Sequence, residues 1–246
     1  MAMRRISTRL GELDCQVVDA LPDGASPELA VILCHGFGAP ATDLVPLAPE
    51  LMNLRPELAP HVRFVFPGAP LTLAAQGMPG ARAWFHLPQA ILMGQQRNWD
   101  EYSLAVPEGL PAARRAVMGV VSALSAATKL PYGRIVLGGF SQGSMVTTDV
   151  TLRLEEAPAG LCILSGAPIA QTEWKARAAN RKGLPVFQGH GRSDTVLPFQ
   201  GAERLRDLLT QAGLAVEFLP FDGPHTIDPE ELEKLADFLV ARLPAR

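Results

Sequence analysis

The chain has 246 residues, 48% of them hydrophobic and 19% charged, with a formal net charge of -3. That balance excludes a disordered chain, and without a long basic tract nothing advertises a phosphate-backbone partner, so no nucleic acid is expected. The length suffices for one substantial core, and a single domain over 1–246 is the expectation.

The opening stretch MAMRRISTRLGELDCQVVD carries arginines but no uninterrupted apolar segment behind them, so neither a signal peptide nor stable membrane insertion is expected. Its ELDCQVVD portion alternates imperfectly and reads as an added edge strand. Cys15, Cys34 and Cys162 are widely separated, and two of them lie in apolar runs. Buried free thiols and a cytoplasmic location follow as expectations.

LAVILC (29–34) then reads as a strand followed by the helical TDLVPLAPELMNL, and VRFVF (62–66) as the next strand. Residues 67–107 carry glycines, prolines, Trp84, Phe85 and Trp99 without sustained periodicity. So long an irregular excursion points to function, here the shaping of a substrate groove; its apolar side chains line that groove or a homodimer contact. Leu110, Ala113, Val117, Val120, Val121 and Leu124 form a helical stripe. RIVLGG (134–139), GLCILSG (160–166), LPVFQG (184–189) and LAVEFLPF (214–221) complete the strands, with a helix at 205–212 between the last two. In the last helix Asp228 is the N-cap, Pro229 the first helical residue and Glu231 the reciprocal capping-box partner. Most of the strands lack in–out alternation, as strands covered on both faces do. The expected architecture is α/β, a mostly parallel sheet with helices on both faces.

Within this frame GGFSQG (138–143) joins a strand to a helix. A serine in so tight a turn is pushed above the sheet, and the helix beginning behind it offers free N–H groups to an anion. Ser141 is therefore the candidate nucleophile. A hydroxyl needs a base. His225 lies in a loop beyond the last strand, on the rim formed by the carboxyl ends of the parallel strands. For the orienting acid, Asp194 comes from a neighbouring strand end and is preferred, with Asp222 in the histidine's own loop as the rival. The order Ser141, Asp194, His225 is also the one expected of such a triad on this kind of sheet. The oxyanion donors are assigned to the backbone amides of Phe37, between Gly36 and Gly38, and Gln142. His35 reads as a holder of that loop and His190 as a neighbour of the acid turn. Metal-binding spacings such as H-E-x-x-H are absent, so no metal and no cofactor are expected.

The stretches VILCHGFGAPATDL, FPGAP, ARAWFHL, GGFSQGSMV, LSGAP, VFQGHGRSDTVLPF and FDGPHTIDPEEL resemble the phospholipase/carboxylesterase family of α/β-hydrolases, which includes acyl-protein thioesterases and small bacterial carboxylesterases. The resemblance implies the α/β-hydrolase fold, the triad Ser141–Asp194–His225 and the oxyanion amides of Phe37 and Gln142. It also matches Trp84 and Phe85 to a Trp-Phe pair near the family's acyl groove, where the next residue is usually aspartate and here is His86. With Leu71 and Ile169, that pair makes up the expected substrate contacts. The implied activity is a serine carboxylesterase on small to medium acyl esters, a small-molecule acyl ester or thioester being the partner. An acyl-protein thioesterase or lysophospholipase would use the same machinery, and a noncatalytic binding protein is the alternative of another class.

Overall fold

A computed structural model describes residues 3–88 and 99–245 of the chain. The strands are β1 (Arg4–Leu10), β2 (Leu13–Asp19), β3 (Leu29–Cys34), β4 (Val62–Pro67), a small hairpin of β5 (Leu71–Thr72) and β6 (Arg82–Ala83), then β7 (Ile135–Phe140), β8 (Gly160–Leu164), β9 (Pro185–Gly191) and β10 (Ala215–Phe221). Eight of them form one sheet in the order β1-β2-β4-β3-β7-β8-β9-β10. β2 is antiparallel to both β1 and β4, and every pair from β4 to β10 is parallel. This is the α/β-hydrolase fold.

The helices are α1 (Leu47–Leu54), α2 (Trp99–Leu104), α3 (Leu110–Thr128), α4 (Gln142–Thr151), α5 (Gln171–Ala178), α6 (Phe199–Gln211) and α7 (Pro229–Val240). β3 explains why the strands look continuously apolar. Its residues alternate between the two faces, yet all are buried, because Ala30, Ile32 and Cys34 join one core and Leu29, Val31 and Leu33 the other. The first core packs α3, α4, α5 and α6 on the sheet; the second packs α1 and α7. The three cysteines are buried free thiols, and no described helix is long and apolar enough to cross a membrane.

The sheet's edge differs from expectation. ELDCQVVD supplies β2, which lies one place inside, and the edge strand is RRISTRL. That segment is exposed on both faces save for Leu10, so it carries no burial pattern to read. Its pairing is set by the Leu10–Leu13 turn, where Gly11 takes φ 57°. The helix QTEWKARA likewise shows no stripe, since it buries only Trp174 and Ala178. Within the 67–107 excursion the described parts fold into the β5–β6 hairpin, a 3-10 turn and α2, while 89–98 lies outside the described residues. The expected cap of the last helix is present: Asp228 accepts from the Glu230 N–H, and Glu231 accepts from the Asp228 N–H.

Candidate active site

Four loops meet at the carboxyl ends of the parallel strands. They follow β3, β7, β9 and β10, so sheet order brings together segments far apart in sequence.

The turn after β7 is strained. Ser141 has φ 53° and ψ -120°, outside the regions a non-glycine residue ordinarily occupies. Such a conformation costs roughly 1–3 kcal/mol and persists only where its surroundings impose it. Here the Ser141 N–H donates to the Leu164 carbonyl at 2.9 Å, and the Ser141 carbonyl accepts from Ser144 N, Met145 N and Ser144 Oγ. The glycines are sterically required. A Cβ on Gly139 would lie 2.5 Å from the Cys34 carbonyl oxygen, and one on Gly143 only 1.9 Å from it. The turn closes this tightly because nothing projects between β3 and α4.

Asp194 and His225 are joined directly. Nδ1 of His225 donates to Oδ2 of Asp194 at 2.6 Å, which leaves the lone pair on the ring's far nitrogen, Nε2. Oδ1 of Asp194 accepts from the Val196 and Leu197 N–H groups, each at 2.8 Å. His190, fully buried, places Nε2 2.9 Å from the Leu197 carbonyl and 3.3 Å from Oδ2 of Asp194. Two acceptors at one nitrogen require it to carry the proton, so His190 is a second donor to the same carboxylate. Burial alone would push the Asp194 carboxyl up. The hydrogen bonds from His190, His225 and Leu197 N–H outweigh it and hold the group well below the usual carboxylate range. Gly191 lets the histidine loop cross so close, since a Cβ there would sit 2.2 Å from the Gly223 carbonyl oxygen. The rival Asp222 faces solvent, its side chain 96% exposed with Arg192 Nε at 3.6 Å.

The loop after β3 is organised by His35. The Ala69 N–H donates to its Nε2 at 3.1 Å, so the ring proton is on Nδ1 and donates to the Gly36 carbonyl at 2.8 Å. Burial lowers the His35 pKa, which favours this neutral form. The Gly36 carbonyl and the Phe37 N–H belong to one trans peptide and point in opposite directions. Drawing the carbonyl toward His35 therefore turns the Phe37 N–H away from that ring. Gln142, as first residue of α4, contributes an N–H with no intrahelical acceptor.

Ser141, His225, Phe37 and Gln142 line one cavity of about 390 Å³, together with Gly36, Leu87, Trp99, Phe140, Met145, Thr195, Val196 and Leu197. The expected substrate contacts are not among these residues. Trp84, Phe85 and Ile169 are 0% exposed and packed into the first core, while half-buried Leu71 packs, as Phe37 does, against Leu73, Ala81 and Ala83. None of the four lines the cavity. Their apolar character reflects burial, and an apolar residue in a loop is no less apt to be core than groove. The wall residues are nevertheless encoded beside the motifs. Met145 lies four residues after Ser141 on the same helix face, and Thr195, Val196 and Leu197 directly follow Asp194. From the excursion, Leu87 and Trp99 do reach the cavity. His86 is exposed, and His61 lies 3.0 Å from Glu28; neither lines this cavity. No group of three or more potential metal ligands occurs among the described residues.

Fold and rim together define an α/β-hydrolase. The sequence matches the family model described as Phospholipase/Carboxylesterase over residues 17–243, and the chain belongs to that family of ester and thioester hydrolases. It is 32% identical over 220 residues to an acyl-protein thioesterase 1 of Eremothecium gossypii, covering 88% of each chain. It is also 32% identical over 240 residues to that of Mycosarcoma maydis, covering 91% of this chain and 95% of the relative. Among solved structures, the crystal structure of esterase PE8 superposes with a TM-score of 0.77 at 28% identity, covering 92% of this chain and 97% of that one.

Proposed function

We propose that the chain is a serine carboxylesterase for small to medium acyl esters, with Ser141 as nucleophile, His225 as base and Asp194 as its orienting acid. The observation that carries this reading is the 2.6 Å Asp194–His225 hydrogen bond, made by a histidine that shares its cavity with a serine held at φ 53°. Ser141 Oγ attacks the carbonyl carbon as Nε2 of His225 takes its proton. Asp194 keeps the imidazole in the tautomer this requires and stabilises the imidazolium. The Phe37 and Gln142 N–H groups receive the oxyanion, each such donor being worth about 3 kcal/mol in the transition state. The imidazolium then protonates the leaving alcohol or thiol, and His225 later activates the water that releases the acid. No step calls for a cofactor.

A cavity of about 390 Å³ walled by Leu87, Trp99, Met145, Val196 and Leu197 favours an apolar acyl group of moderate length. The acyl-protein thioesterases at 32% identity support a second reading, a thioester substrate on the same machinery. Matched p-nitrophenyl esters, thioesters and lysolipids of one acyl length separate the two by kcat/KM. Ser141→Ala should lower kcat by about 10⁴-fold or more and abolish labelling by a fluorophosphonate probe. Unchanged turnover in that variant would overturn the nucleophile assignment, and an inert but correctly folded wild type would favour the binding-protein alternative.

A further inference from the structure

Trp84 is fully buried and does not line the cavity, yet it is bonded to both loops that supply the oxyanion amides. Its indole Nε1–H donates to the His35 carbonyl at 2.8 Å, and its backbone N–H donates to Oε1 of Gln142 at 2.9 Å. The Gln142 amide also donates through Nε2 to the Phe85 carbonyl at 2.8 Å, which fixes which end of the amide faces which partner. Gln142 itself is 2% exposed, so its side chain is committed to this tie and not to substrate. On the other side, the His35 whose carbonyl Trp84 holds is the residue whose ring draws in the Gly36 carbonyl and so sets the Phe37 N–H. The two rings pack at 5.5 Å between centroids. These bonds form a continuous belt, from the Phe37 peptide through His35 and Trp84 to Gln142.

We propose that Trp84 is a positioning residue that fixes the separation and aim of the two oxyanion donors, rather than a contact for the acyl chain. Two donors on different loops stabilise a developing charge fully only if neither must move as it forms, and preorganisation of this kind requires buried, fully paired supports. Trp84 provides one rigid body bonded at two points. The glutamine that follows the nucleophile thereby acts twice, its backbone N–H serving the reacting carbonyl and its side chain holding the Trp84–Phe85 segment, whose indole in turn holds the loop of the second donor.

This inference rests on the hydrolase reading above, and the test separates the two. Wild type, Ser141→Ala, Trp84→Phe and Trp174→Phe are compared on one p-nitrophenyl ester and against a trifluoromethyl ketone, whose carbonyl carbon Ser141 Oγ attacks to give a tetrahedral hemiketal. Trp84→Phe removes the indole donor and should lower kcat about tenfold at a KM within twofold of wild type, with a matching loss of ketone affinity. Trp174→Phe is the control, because it too deletes a buried indole bond, from Nε1 to Oδ1 of Asp149 at 2.9 Å, but away from the rim. It should lose stability and keep kcat and ketone affinity within twofold. If Trp84→Phe does not fold, Gln142→Met cuts the same belt at its other end and should give the same kcat loss at unchanged KM. Wild-type kcat and ketone affinity in the folded belt variant, or an equal loss in Trp174→Phe, would overturn the positioning role while leaving the hydrolase reading intact. Equal turnover by wild type and Ser141→Ala would sink that reading and this inference with it.

Discussion

The turns at the sheet rim and the 67–107 excursion reach the same cavity by different means. At the rim, backbone constraints fix the proposed reacting groups: the left-handed Ser141, the Cβ-free Gly139 and Gly143, and two N–H groups clasping Oδ1 of Asp194. In the excursion, side chains do the holding, with Trp84 buried against His35 and Gln142, and Leu87 and Trp99 set into the wall. The contrast teaches that residues nearest the reaction are placed by local turn chemistry, whereas those shaping the cavity depend on how a long segment packs.

Rim substitutions should therefore strike chemistry first. The largest effect is expected from Gly143→Ala, whose new Cβ would lie 1.9 Å from the Cys34 carbonyl oxygen. The turn must open, and ester hydrolysis should be lost altogether; retention of a tenth of wild-type activity would break the claim of a backbone-fixed nucleophile turn. Asp194→Asn comes next. It disturbs the His225 tautomer without changing shape and should reduce kcat by about 10⁴-fold, while an effect below tenfold would leave the acid without its assigned role.

A smaller effect concerns stability and pH. Glu231 is buried against Gly189 beneath the histidine loop, and burial pushes its carboxyl from 4.5 up to about 8, against the pull of the Asp228 N–H. The folded state thus holds a proton that the unfolded state releases. Its contribution is complete below pH 4.5 and is lost as pH rises through about 8. Between the two ends of that window the wild-type stability read from urea midpoints should fall by roughly 4 kcal/mol, and Glu231→Gln should flatten the decline. Identical pH profiles for both would contradict the buried neutral carboxyl. Excursion substitutions should instead change preference. Leu87→Ala removes wall and should shift kcat/KM toward longer acyl chains by about tenfold, with the shortest ester unaffected. Equal losses for every chain length would erase the distinction between the two regions.

The same division decides how much of the molecule is legible in its amino-acid sequence. The inner parallel strands β3, β4, β7, β8 and β9 are legible because burial on both faces makes them continuous apolar runs. The cap of α7 is legible because its residues satisfy each other within four positions. The proposed triad, Ser141, Asp194 and His225, stands in short motifs where glycine spacing and strand-to-helix transitions limit the options. The edge strand β1 is hidden by its exposure on both faces, and α5 by burying only Trp174 and Ala178. Trp84 reads in the sequence as an apolar surface for substrate, but its function lies in two hydrogen bonds to segments 49 and 58 residues away. No local pattern announces a bond of that range. His190 is the opposite case: it lies four residues before Asp194, and its place beside the acid turn is legible from GHGRSD.

The central claim is that a hydroxyl on a strained turn becomes transiently acylated by virtue of the histidine–aspartate pair beside it. Rapid mixing with a p-nitrophenyl ester, acid quenching and peptide mass spectrometry test it most directly. The account predicts a burst of close to one p-nitrophenol per chain, with the acyl group on the peptide containing Ser141 and no such adduct in His225→Ala. Steady turnover with the acyl group on another residue, or the same rapid acylation of Ser141 in His225→Ala, would contradict it.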